Sequence, residues 1–210
     1  MKNLIWVLVF ICNLGCTAEV EVKSNRIFQI KGNIDSQKLQ EFKAALILNS
    51  EIKEIEFINS GSISIKGDDA EALKEFKRLI NTNKLVTSAR GLCLGSCALL
   101  FLTGYERTLK EGIRTRQTRL LLHPLMTENN EFLEEETNSF FEDIVKRSEN
   151  KIPLDLLKRL YEVHDEFGGI AIMKLAIPGN SHVFFSSRIG EKPGKLEFQT
   201  PEDYGIKVEK

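Results

Sequence analysis

Ser96 lies in GLCLGSC, residues 91–97, where a strand-like segment gives way to an apolar, helix-like run. A hydroxyl at such a turn can act as a nucleophile when a base stands within hydrogen-bond reach and N–H donors face the developing oxyanion. The start of a helix adds positive potential there, and Gly95 relieves crowding. A cap or a small residue needed for close packing is the competing reading of Ser96. His123 closes the apolar run LLLHP and is the candidate base, or else a hydrogen-bonded residue at a strand end. His164 reads as helix surface, and His182, in GNSHVFF, sits in a turn segment that could reach the same area. Asn59, Ser60, Gly61 and Ser62 form a small-residue loop able to aim backbone N–H groups at an anion or a tetrahedral oxygen, or else an ordinary Asx-type turn. Cys97 would be a second candidate nucleophile if it were unpaired.

Other chemistries find less support. No second pair of metal ligands stands at suitable spacing from Cys93 and Cys97, whose nearest following histidine is His123, so no metal is expected. Three residues separate the cysteines, where a thioredoxin-like motif has two. Neither a Walker loop nor a dinucleotide fingerprint occurs, and no cofactor is expected.

Three strand–helix pairs must position these groups. NRIFQIKG reads as a strand, and Leu39, Phe42 and Leu46 give the following helix its apolar face, with Asn49 and Ser50 able to end it. A strand from about Lys53 to Ile58 enters the small-residue loop. Asp68 or Asp69 then caps a helix using Leu73, Phe76, Leu79 and Ile80. KLVTSARG is a third strand, and the next helix runs from near Ser96 to about Thr103. This rhythm predicts an α/β fold of repeated β–α units, with parallel strands, right-handed crossovers and both sheet faces covered. Function is then expected where the carboxyl ends of the strands meet the helix N-termini.

Beyond Gly104, ERTLKEG and TRLLLHPL read as two short strands linked by a basic stretch that includes Arg114, Arg116 and Arg119. Leu133, Thr137, Phe140, Phe141 and Ile144 share one helix face, and Pro153 separates them from a second helix bearing Leu156, Leu157, Leu160 and Tyr161. This segment, about 126–165, reads as a helical appendage, a lid or an oligomer contact on a single domain spanning 19–210. Near the end, GGIAIMKLA is a strand, two Phe-bearing strands flank a Gly/Pro turn, and TPEDYG offers Thr200 and Asp203 as a capping box.

The chain has 210 residues, 28% charged and 42% hydrophobic, with a formal charge of -1. That places it among ordinary globular proteins and gives no reason to expect a nucleic-acid partner. MKNLIWVLVFIC, one lysine and then an apolar run too short to span a bilayer, reads as a secretory signal over 1–18. Cleavage before a lipid-bearing Cys16 and cleavage after Ala18 are both open, and an uncut membrane anchor is the competing reading. Asn13 fits a lipoprotein signal poorly. Export to the periplasm, free or held at the membrane by lipid on Cys16, puts Cys93 and Cys97 where thiols pair, and a Cys93–Cys97 disulfide is the economical account.

With these residues in view, the chain resembles the Clp protease and crotonase superfamily over about 24–125 and more faintly over 168–208, and looks most like its exported, ClpP-like branch. In that family a Ser-Pro-Gly-Gly-type loop supplies the oxyanion donors. Here Ser60, Gly61 and Ser62 match it without the proline. The family's serine opens a helix like CALLFLTG, its histidine matches His123, and its C-terminal strand and Tyr-Gly pair match EFQTPEDYGI. Two cysteines flank the serine turn in the exported branch, as Cys93 and Cys97 do. Counted from Gly104 and the cysteines, the family's serine position falls on Gly95, and Ser96 follows one residue later, about 100° of rotation in a helix. Asn180 is the nearest match to the third, orienting residue, with Asp165 and Glu166 farther off. The resemblance implies an exported serine hydrolase or peptidase acting on a peptide or small acyl substrate through Ser96, His123 and Asn180, with Gly61 and Ser62 and the adjoining Cys97 lining the oxyanion site. The alternative it implies is a catalytically inactive binding or assembly protein, a pseudoenzyme that keeps the cleft. Either form is expected to be a homo-oligomer, through the helices of 133–164.

Overall fold

The computed structural model describes residues 26–113, 116–176, 181–191, 194–196 and 200–210. The expected leader, Cys16, Arg114 and Asn180 lie outside these residues. The first half alternates strand and helix as expected: β1 (Ile27–Gly32), α1 (Ser36–Leu48), β2 (Glu54–Ser60), α2 (Asp69–Asn83), β3 (Val86–Leu94) and α3 (Ser96–Leu102). Asp35 starts α1 by accepting the Lys38 N–H at 2.8 Å, the usual work of an N-cap carboxylate. Then follow β4 (Arg107–Leu109), β5 (Arg119–Leu122), α4 (Glu134–Arg147), α5 (Leu154–Lys158), β6 (Gly169–Met173), β7 (Val183–Ser186), β8 (Gly194–Lys195) and β9 (Lys207–Val208).

Among the described residues one sheet holds all nine strands, in the order β1-β2-β3-β5-β6-β7-β8, with β4 beside β3 and β9 beside β4. Pairing is parallel from β1 to β5 and between β4 and β9, and antiparallel from β5 to β8. The mixed α/β class and the mainly parallel sheet are as expected. β3 serves two ladders, because Thr87–Ala89 pair with β4 and Leu92–Leu94 with β5. At the break between them Gly91 has φ +75°, and a Cβ there would stand 2.3 Å from Asn59 Oδ1.

Among the described residues the helices cover one face of the sheet and not both, contrary to expectation. From β1 to β3 the chain always steps in one direction, and right-handed crossovers that never reverse place every helix on the same side. Accordingly α1 packs on β1 and α2, α3 on β2, β3 and β5, and α4 on α2 and α3. The covered side takes Phe28, Ile30, Ile55, Phe57 and Ala89, all buried, each stabilising the fold by about 1.5–3 kcal/mol when fully buried if large. The segment 126–165 sends Phe140, Ile144, Leu157 and Leu160 into this same core.

Opposite them, β1 to β4 carry a polar lattice. Glu56 is held by Gln29 at 2.5 Å, Lys110 at 3.2 Å and Arg90 at 3.3 Å. Burial works against its charge, yet Lys110, Gln29 and Arg90 together hold the Glu56 carboxyl below its ordinary range. Arg107, at the start of β4, is 5% exposed. It donates to the carbonyls of Gly104 at 3.0 Å, Arg147 at 2.9 Å and Gly205 at 3.0 Å, tying the ends of α3 and α4 to the turn before β9.

Candidate functional site

The ends of β2 and β3 bring the loop 59–63 against the turn 95–97. Asn59, at φ +44°, turns its Oδ1 to the Leu92 N–H at 3.0 Å, and Ser60 Oγ donates to the Ile30 carbonyl at 2.6 Å. These bonds take up the register shift between Ile58 and Ser60. Gly61 then crosses the start of α3 so closely that a Cβ would stand 2.1 Å from the Leu94 carbonyl and 2.5 Å from Cys97 Cβ. A disulfide joins Cys93 to Cys97 with Cα atoms 5.2 Å apart, within the range such a bridge requires. It fastens the last residues of β3 to the first turn of α3 and removes the Cys97 thiol as a nucleophile.

Gly95 makes the turn with φ +42° and ψ -104°. Its N–H donates to the Leu121 carbonyl at 2.9 Å, which anchors the turn to β5. A Cβ at Gly95 would lie 2.5 Å from the Ser62 carbonyl oxygen, so position 95 has no room for a side chain. Ser96 is the next residue, 1% exposed. Its hydroxyl accepts the Ser62 N–H at 3.1 Å, while its own N–H donates to the Ser62 carbonyl at 2.9 Å. The Gly61 N–H is also taken, by the Gly32 carbonyl at 2.9 Å. Both backbone donors expected to face an oxyanion therefore have partners within the fold.

His123, fully buried, follows β5 as expected. Nδ1 lies 2.7 Å from the Pro124 carbonyl oxygen and Nε2 lies 3.1 Å from that of Asp165. A neutral imidazole has one N–H and can donate to only one of them. No hydrogen bond joins His123 to Ser96. Asp165 reaches the ring with its main chain, and its carboxylate is spent elsewhere, on the N–H groups of Ile189 at 2.8 Å and of Phe167 and Gly168 at 2.9 Å. The Ile189 bond, with those of Phe167 and Gly168 against some desolvation, holds the Asp165 carboxyl below its ordinary range. Beside the ring lies a cavity of about 550 Å³, also lined by Ser64, Met126, Phe132, His164 and Asp165. His164 is exposed, and His182 turns Nδ1 to the Met173 carbonyl at 3.1 Å, away from these groups. Glu166 lines the cavity without a hydrogen bond to the ring. Among the described residues no cluster of three metal-ligating side chains occurs, and no helix is long and apolar enough to cross a membrane.

Groove-lining residues that the sequence reading did not single out lie on the bare side of the sheet, beside Arg116 and Arg119, which it read only as part of a basic link. Leu92, Leu94, Leu121, Ala171, Met173 and Phe184 line a groove of about 550 Å³ there, and Arg116 and Arg119 line an adjoining cavity of about 580 Å³. Consecutive apolar residues in β5 (RLLL) and β7 (VFFS) were the available signal, since neighbouring side chains of a strand point to opposite faces.

No protein-family model and no curated protein matches this sequence. Among solved structures the chain is similar to a peptidase from Plasmodium falciparum, at 17% identity, with 64% of this chain and 82% of that one covered and a TM-score of 0.48. It is also similar to the ClpP protease catalytic domain from Plasmodium falciparum, at 14% identity, with 64% and 71% covered and a TM-score of 0.46.

Proposed function

We propose that this chain is an exported ligand-binding protein on a ClpP-like scaffold in which the hydrolytic centre is closed. The observation that carries the reading is the reciprocal pair between Ser62 and Ser96, N–H to Oγ at 3.1 Å and N–H to carbonyl at 2.9 Å. It occupies the hydroxyl and one oxyanion donor at once. A closed centre loses both the alignment of nucleophile with base and the preorganised donors, the two terms that give acyl-transfer enzymes most of their rate. Export is supported by the apolar N-terminal run and by a paired Cys93 and Cys97, and lipid on Cys16 would hold the protein at the periplasmic face of a membrane. Assembly into a homo-oligomer belongs to the same proposal.

The alternative is a serine peptidase in which Ser96 attacks, His123 takes its proton and Asn180 orients the ring. One observation favours it: Ser96 opens α3 directly after a positive-φ turn, beside Gly61 and Ser62. A fluorophosphonate probe separates the two. The binding reading expects no adduct on Ser96, and an adduct that disappears in Ser96→Ala would overturn it.

A further inference from the structure

The bare sheet face carries a trough along β6, and its chemistry names a ligand. Gly169, Ala171 and Met173 point to this side, and register places Leu121 of β5 and Phe184 of β7 on either side of Ala171. Two small residues between two large ones make the trough. Leu94 extends its floor beyond Leu121. At one end stand Phe167 and Ile189, 55% and 67% exposed. At the other stands Arg119, opposite Met173 in the ladder and shared with the adjoining cavity, where Arg116 also stands. Among the described residues neither Arg116 nor Arg119 pairs with a carboxylate, whereas the acids of the groove, Glu166 and Glu191, lie at the Phe167 end. Glu191 is bonded to Ser187 there.

The geometry points to a binding site for a single-chain amphiphile with a carboxylate head: the apolar chain lies along β6 and the carboxylate sits on Arg119, with Arg116 beside it. Length agrees, since Gly169 to Met173 spans about 13–14 Å of strand, enough for a chain of medium length. Charge agrees, because among the described residues Arg116 and Arg119 stand at their end without an acid in the groove, whereas Arg188 at the Phe167 end shares it with Glu166 and with Glu191, whose charge it offsets. A peptide fits less well. The backbone groups under the trough are already bonded in the β5–β6 and β6–β7 ladders, so a peptide lying on this face would leave its own N–H and C=O groups without partners. An acyl chain has none to satisfy. This inference rests on the proposal that the chain binds a ligand, and it names that ligand's class and seat.

The test is fluorescence titration of the full chain with 11-(dansylamino)undecanoic acid, with displacement by octanoate, decanoate, dodecanoate and methyl dodecanoate. The expected result is saturable binding, displacement by the three carboxylates and not by the ester, and a gain of about two- to fourfold per methylene. Arg119→Gln should weaken binding about tenfold without moving the thermal midpoint, and Ala171→Trp should abolish it by filling the trough. Equal displacement by the ester, no dependence on chain length, or undiminished binding in Ala171→Trp would each overturn the site. So would a dimer on light scattering that excludes the probe and dissociates in Phe184→Glu, since a second copy would then occupy the face. Fluorophosphonate labelling of the same sample keeps the outcomes apart. An adduct on Ser96 together with probe binding defeats the closed-centre reading and leaves the site standing, whereas no adduct and no probe binding defeats the site alone.

Discussion

Replacing Ser96 by alanine asks what the hydroxyl is for. In a working serine hydrolase the nucleophile is placed for reactivity, and stability often gains when it is removed. Here Ser96 Oγ is the acceptor for the Ser62 N–H at 3.1 Å and is 1% exposed. Ser96→Ala leaves that N–H facing a methyl group in a site with little access to water. Loss of one neutral hydrogen bond with its donor left unsatisfied costs about 1–2 kcal/mol. For a domain of this size each kcal/mol lowers the thermal midpoint by about 2–4 °C, so the expected fall is about 2–8 °C. Thermal unfolding followed by circular dichroism measures it, with Ser62→Ala as the comparison, because Ser62 Oγ donates only to the Ser64 carbonyl nearby. An unchanged or higher midpoint in Ser96→Ala would refute the view that the hydroxyl holds the centre closed.

Gly95→Ser, which puts a hydroxyl one residue before Ser96, should destabilise by about 2–5 kcal/mol through strain at positive φ and overpacking against Ser62, and should gain no fluorophosphonate adduct. Denaturant unfolding and mass spectrometry read the two parts. Replacing Cys93 and Cys97 together by alanine should cost roughly 2 kcal/mol for so short a closed loop, again by denaturant unfolding. Arg107→Met should cost about 3 kcal/mol or more, since it strands the Gly104, Arg147 and Gly205 carbonyls, each a buried acceptor without its donor. Acid should weaken the fold. Arg78 hydrogen bonds bring the Glu75 carboxyl down to about 2, and Glu56 is also depressed. A carboxyl more acidic when folded adds stability above its unfolded pKa of about 4.3, and that stability is lost as pH falls toward the folded value. Unfolding midpoints should therefore drop between pH 5 and pH 2, and Glu56→Gln should flatten the slope.

Much of the scaffold was legible because apolar periodicity is local. Leu73, Phe76, Leu79 and Ile80 define α2, and the glycines and small residues at 59–62 and 91–96 mark where strands end. The bare side of the sheet was legible too and was misread. Gln29, Glu54, Glu56, Ser88 and Arg90 alternate with Phe28, Ile30, Ile55, Phe57 and Ala89, and such alternation belongs to strands with one covered face, whereas strands buried on both sides read as unbroken apolar runs. Partners far along the chain were not legible. The Asp165 carbonyl meets His123 from 42 residues away, and only tertiary packing brings it there. Nor does any local pattern reveal that the Ser62 carbonyl occupies the space beside Gly95.

The position of β9 decides whether one flank of the sheet is protected. Lys207 and Val208 form the strand that lies against β4, and Tyr204 and Ile206, each 1% exposed, close the core just before it. Without that pairing, β4 would present an unpaired flank able to recruit another chain. Removal of residues 207–210 would therefore leave that flank exposed for the lifetime of the molecule.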